Sequence, residues 1–272
     1  MIPEQNTLSH CLPYVMRRAS HIGAKAAGQM AVIDAYRNGM IGCFLDAEQM
    51  PSWARQAARD AQAWFRERAR GGWRAEDAIC AASQGKGRGK RAVHFQHAMR
   101  LDSKILHGAQ DYNNCTSWCF RAVAGCAIAC DLVARKAEVE YVARPGTAGI
   151  YGYRGSRADN GMAIYLGATA IHEHGVGLET DYPGIADLST EAADERAGVQ
   201  WGGSGPPQAF RDAVAGLRIE QASEVTEEDA ILDILQAGHF VGTGSTLTAA
   251  SAGDPVSRLM SIGGHAQAMI GY

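Results

Sequence analysis

The chain has 272 residues and a mass of 29.0 kDa, carries 26 basic against 29 acidic side chains for a formal charge of −3, and is 46% hydrophobic. That composition is ordinary for a globular protein and excludes a disordered tail, a collagen and a coiled coil. The length supports one large or two modest domains without staples, and a near-neutral balance with a pI of about 6.3 argues against a dedicated nucleic-acid binder.

In chain order, the first residues (MIPEQN) lack a basic stretch followed by an apolar one, so no secretory signal is expected. The first 80 or so residues read as helical and alanine-rich. Between Pro51 and Gly71-Gly72, the side chains Trp53, Ala57, Ala61, Trp64, Phe65 and Ala69 recur at helical spacing, with Ser52 as a cap and the glycine pair as a stop. Gln84 to Arg91 (QGKGRGKR) is glycine-rich and basic without apolar residues. It lacks the phosphate-loop pattern and reads as a linker. It divides a helical region, 1–90, from a second domain, 91–272. His94 and His97 fall in the basic stretch Lys86 to Lys104, with six basic side chains against one acidic, which reads as a solvated segment.

Asn113-Asn114 then caps a predicted helix from Cys115 to about Glu138. Cys115, Cys119, Cys126 and Cys130 share one face of it, which suits buried thiols in a reducing compartment better than disulfides. Its most apolar window, Ala122 to Cys130, stops at Asp131, about half of the roughly 20 residues a bilayer needs, so no membrane span is expected. Pro145 to Gly161 reads as irregular, and Ala163 to His174 as a helix closed by Gly175. His172-Glu-His174 lacks the i, i+4 spacing of a zinc helix and reads as structural, so no metal is expected. Asp187 to Pro207 reads as a long surface loop crossing between two lobes, and Leu217 to Ile219 as a short strand. Thr226 to Asp229 is a capping box opening a helix over Ala230 to Ala237, and Phe240 to Thr246 and His265 to Tyr272 read as strands.

Two segments carry residue types suited to chemistry. A cysteine in the first turn of a helix has its thiolate favoured by unpaired N–H groups, which makes Cys115 a candidate nucleophile. A histidine opening a strand, His265, can supply the base. Gln110, five residues before Cys115, can donate to an oxyanion beside the Cys115 N–H. Cys119, one turn on, is the alternative nucleophile, further from Gln110 and from the helix end.

These residues, with Trp118, and the segment His265-Ala266-x-x-x-x-Gly271-Tyr272, resemble the papain-like cysteine peptidases from about residue 95 onward. Asn160-Gly161-Met162 is similar to that family's substrate loop, and Ala163 to Pro183 and Glu227 to Val241 are similar to its helical and second-lobe segments. The spacing Gln-x4-Cys-x-Ser-Trp looks more like a divergent bacterial or phage-type branch than the secreted enzymes, which have Trp directly after Cys. The resemblance implies an α+β, papain-like fold of two lobes, one helical and one β-barrel-like, with the site between them. It implies Cys115 as nucleophile, His265 as its base, Gln110 at the oxyanion, and Asn160, Gly161, Met162 and Gly264 against substrate. A polypeptide substrate is implied, with no cofactor or metal and no nucleic-acid or membrane partner. The family's histidine-orienting Asn would lie beyond Tyr272, so a domain truncated at its C-terminus is expected. Residues 1–90 have two open roles: a propeptide-like cover for the cleft, or a module tethering the domain to a larger assembly, with the module slightly favoured. Expected localisation is cytoplasmic, or virion-associated. The alternatives in function are an inactive papain-like structural domain and a related amide-cleaving, cell-wall hydrolase.

Overall fold

The computed structural model describes residues 43–44, 92–219, 222, 225, 228–249 and 259–270, of which 43–44, 228–229, 245–249, 259–265 and 267 by backbone alone. The helix expected after Pro51 and the Gln84–Arg91 linker lie outside the described residues. The described chain mixes helix and short strands, an α+β arrangement. Its elements are β1 (Cys43–Phe44), α1 (Phe95–Leu101), α2 (Cys115–Arg135), α3 (Ala148–Tyr151), β2 (Met162–Ala163) and α4 (Ile164–Thr169). There follow β3 (Asp181–Tyr182), β4 (Ala186–Asp187), α5 (Glu191–Trp201), α6 (Gln208–Val214), α7 (Glu228–Gln236), β5 (Val241–Ala249) and β6 (Leu259–Met269).

The centre is α2, whose small, buried Cys115, Cys119, Ala124, Cys126 and Ala129 let neighbours come close on more than one side. It packs against the β5–β6 hairpin and against α1, α3 and α4. The approach of the hairpin is tight enough to need Gly242 on β5, because a Cβ there would stand 2.8 Å from the Phe120 ring and 3.1 Å from the Cys119 sulfur. Phe120, almost wholly buried, contributes on the order of 2–3 kcal/mol at this contact. The helix stops three residues before the expected Glu138. Lys136 turns into the left-handed region (φ 57°) and the Ala137 N–H closes on the Leu132 carbonyl at 2.8 Å. No span was expected of this segment. In length and apolarity α2 qualifies as one, while 56% of its most apolar window is buried inside the protein, as in a core helix.

Arg121, on α2, is fully buried among charges. Its guanidinium stands 2.8 Å from Glu179 and donates to the Pro145 carbonyl at 2.9 Å, and Arg144 reaches Glu179 at 2.6 Å. Burial pushes the Glu179 carboxyl up, and the two guanidiniums pull against it.

Several expectations fail locally. Asp187 to Pro207 is not one loop: Thr190 accepts the Ala193 N–H and opens α5, an eleven-residue helix. Its buried Asp194 then takes the Thr147 N–H at 2.5 Å and the Ala148 N–H at 3.1 Å, capping α3 from another helix. This places a helical turn in the stretch expected to be irregular. Leu217 to Ile219 is not a strand, although its Leu217 carbonyl and Ile219 N–H bond to Val176 and Ile171. The basic stretch around His94 is not merely solvated, because Ala98 of α1 is buried and His94 Nε2 meets the Gln236 carbonyl at 3.0 Å. The expected helix over Ala163 to His174 is α4 continued by a wider π turn and ended at Gly175, whose φ of 97° and contact with the Val214 carbonyl leave no room for a Cβ.

The sheets are pairs. β3 and β4 run antiparallel, as do β5 and β6. β1 and β2 run parallel, Cys43 opposite Met162 and Phe44 opposite Ala163, so a strand stands within the region expected to be helical.

Candidate active site

Cys115 is the first residue of α2, 1% exposed. Its sulfur accepts the Ala266 N–H at 3.4 Å, so it lies against the residue that follows His265 in β6. His265 stands opposite Ser245 of β5, and Ala266 opposite Gly244. Immediately before His265 the pairing register shifts, with residues 262 to 264 set against residue 246 alone. Such a bulge bends and re-aims a strand, and Gly263-Gly264 supplies backbone that accepts the bend. Gly264 is thus part of the backbone irregularity that directly precedes His265. Cys119, one turn along α2, lies against the other strand, at Gly242 and Thr243 of β5. Of the two candidate thiols, Cys115 is the one beside the His265 backbone.

The thiolate is not favoured as the helix position alone implies. Burial pushes Cys115 from 9.0 to about 11, and the N–H groups of Ala266 and Thr116 offset only part of it. Burial pushes Cys119 to about 12. At about 11, roughly one Cys115 in ten thousand is ionised at neutral pH. A helix N-terminus contributes well under what burial removes, and a cation or base is needed to make this sulfur nucleophilic.

The residues leading into Cys115 are held by two carboxylates that sequence reasoning missed. Glu195 of α5, fully buried, accepts from Asn114 Nδ2 at 2.8 Å, Trp118 Nε1 at 2.7 Å and the Asp111 N–H at 3.3 Å. Asn114 stands at the N-cap position, yet its side chain makes no capping bond: its Nδ2 donates to Glu195 and its buried Oδ1 meets no donor among the described residues. Trp118, three residues after Cys115, is on the face that reaches Glu195. Asp159 accepts the Asn113 N–H with both oxygens at 3.1 Å, and its own carbonyl accepts from Asn113 Nδ2 at 2.9 Å. A carboxylate 46 or more residues away in sequence has no local signature.

Gln110 lies in the exposed approach to α2. Its amide nitrogen donates to the Tyr112 carbonyl at 2.7 Å, and no hydrogen bond joins it to Cys115 among the described residues. Met162 is buried beside α2, its carbonyl accepting from Thr116 Oγ1 at 2.9 Å. Gly161, with φ 89°, directs its N–H to the Tyr151 hydroxyl at 3.3 Å, and Asn160 beside it is half-buried. The structure therefore brings Cys115, the His265 backbone and the 160–162 loop to one end of α2, with Gln110 nearby in sequence and engaged elsewhere. The edge of β2 is taken by β1.

His172 Nδ1 meets the Ile219 carbonyl at 2.7 Å and His174 stacks on Tyr153 with centroids 4.1 Å apart. Among the described residues no group of three His, Cys, Asp or Glu is placed to hold a metal.

Comparison of the chain with protein-family models, with curated proteins and with solved structures gave no match.

Proposed function

We propose that this protein is a cysteine-type peptidase of papain-like, two-lobed build, with Cys115 and His265 as its reacting pair. The observation that carries the reading is the 3.4 Å hydrogen bond from the Ala266 N–H to the Cys115 sulfur, which ties two residues 151 apart in sequence at the start of a helix and beside the candidate base. In this reading the buried thiol is neutral until His265 takes its proton. The sulfur then adds to the carbonyl carbon of a peptide. The oxyanion is met by the Cys115 N–H and by a Gln110 N–H not given to Tyr112, and His265 returns the proton to the departing amine. Water, deprotonated by the same imidazole, frees the acid and restores the thiol. No metal or organic cofactor enters these steps.

Of the two roles for residues 1–90, the cover over the cleft gains support from β1. Cys43–Phe44 occupies the β2 edge beside the 160–162 loop and also lies against β6, where an extended peptide would add as a strand.

The test is hydrolysis of a mixed fluorogenic peptide library under reducing conditions by the full chain, by Cys115→Ala and by Cys119→Ala. Activity should fall at least about a thousandfold in Cys115→Ala alone. A folded full chain that cleaves nothing moves the weight to an inactive structural domain, and cleavage of cell-wall amides in place of peptides moves it to the related hydrolases.

A further inference from the structure

We propose that Asp159 is a positioning residue that locks the substrate loop to the approach to the nucleophile, with Tyr151 as its second member. The Gly161 N–H donates to the Tyr151 hydroxyl at 3.3 Å, and that hydroxyl donates to Asp159 Oδ1 at 2.6 Å. Asp159 in turn receives the Asn113 N–H at 3.1 Å, two residues before Cys115. An unbroken path of hydrogen bonds thus runs from the loop expected to meet substrate to the turn that delivers the sulfur.

The middle of this path is rigid. Tyr151 is fully buried, and the Arg154 guanidinium lies 4.2 Å from its ring centroid. Arg154 is itself fixed by the Gly198 and Val199 carbonyls at 2.7 Å each. Burial, then the bond to Asp159, drives the Tyr151 phenol far above its ordinary range, so it remains a neutral hydroxyl able to donate and accept at once. Because the Gly161 N–H is spent on Tyr151, the path governs where the loop stands, not what that N–H offers a peptide. Cys115 has a separate brace, since Glu195 holds Asp111, Asn114 and Trp118 from α5. Loss of Asp159 should therefore displace the loop and leave the sulfur where it is.

The inference rests on the peptidase reading, and its effect belongs in KM. Full-length Asp159→Asn, Tyr151→Phe and the double variant are compared with wild type for peptide hydrolysis, and for amide hydrogen exchange at Gly161 and Asn113 without substrate. Each single change should raise KM about tenfold with kcat within about twofold, as one lost charge-assisted bond warrants. The double variant should be no worse than the poorer single one, because the residues act as a unit. The Gly161 amide should exchange about tenfold faster in Asp159→Asn, although Asp159 does not touch it. Unchanged KM, additive losses, or unaltered exchange at Gly161 overturns the proposal. If Asp159→Asn does not fold, Tyr151→Phe, which removes one hydroxyl, decides by the same KM and by faster exchange at Asn113. Should the wild type cleave no peptide, the peptidase reading falls by itself and the exchange data still decide whether the tether exists.

Discussion

A pKa of about 11 is an unusual demand on a thiol proposed as a nucleophile, and its cause is plain in its surroundings: Cys115 is 1% exposed and the thiolate loses its water. The donors around the sulfur are N–H dipoles, and dipoles recover less than a full charge does. Since only the thiolate is alkylated, the rate of iodoacetamide labelling of Cys115 against pH, read by peptide mass mapping, should inflect near about 11 in the intact protein, with burial in control. An inflection below the ordinary 9.0 would show that a cation, such as an imidazolium at His265, pairs with this sulfur at rest. Sequence alone singles out Cys115 as a candidate through its place after Asn113-Asn114 and His265 through its strand. It misjudges the thiol because burial is a tertiary property. It misses Glu195 and Asp159 because the residues before Cys115 that they hold lie 46 to 84 positions away from them.

At the scale of elements, α2 is packed through small residues on several sides, and its start is readable from the paired asparagines, although Asn114 caps through its backbone carbonyl while its side-chain Nδ2 donates to Glu195. α5 was not readable, because the glycines and prolines just beyond it dominate the local composition and hide the Thr190 cap. What holds α2 laterally is charge. Arg121 faces Glu179 at 2.8 Å with both side chains shut from water, and its guanidinium also stacks 4.2 Å from the Trp118 ring centroid. Breaking a buried pair from one side leaves an uncompensated carboxylate and costs far more than the pair contributes. Arg121→Met keeps most of the volume while removing the charge, so it should lower the stability to urea by about 3 kcal/mol. A loss under about 1 kcal/mol would show that Arg144, 2.6 Å from Glu179, neutralises it unaided.

For the whole molecule, the question is how a site built at one end of α2 relates to the first 90 residues. The resemblance left them as cover or tether, and composition could not separate the two, since an apolar helical face needs a partner in either role. The parallel pairing of Cys43–Phe44 with Met162–Ala163 is a tertiary fact that bears on the proposed peptidase. A strand edge holds one occupant at a time, so a peptide that binds by extending β2 must compete with the chain's own β1. An intramolecular competitor acts at high effective concentration, and weakening it by one ladder bond should release the site in proportion. Phe44→Pro fixes φ and sets a ring in the strand paired with β2, which should weaken that pairing by about 1 kcal/mol or more. If residues 1–90 are a cover, kcat/KM for peptide hydrolysis should rise about fivefold or more. The rise should come from a lower apparent KM, because the chemistry at Cys115 is untouched. A kcat/KM that stays constant or falls, with the protein still folded by circular dichroism, would make β1 a part of the scaffold and return the N-terminal region to the tethering role.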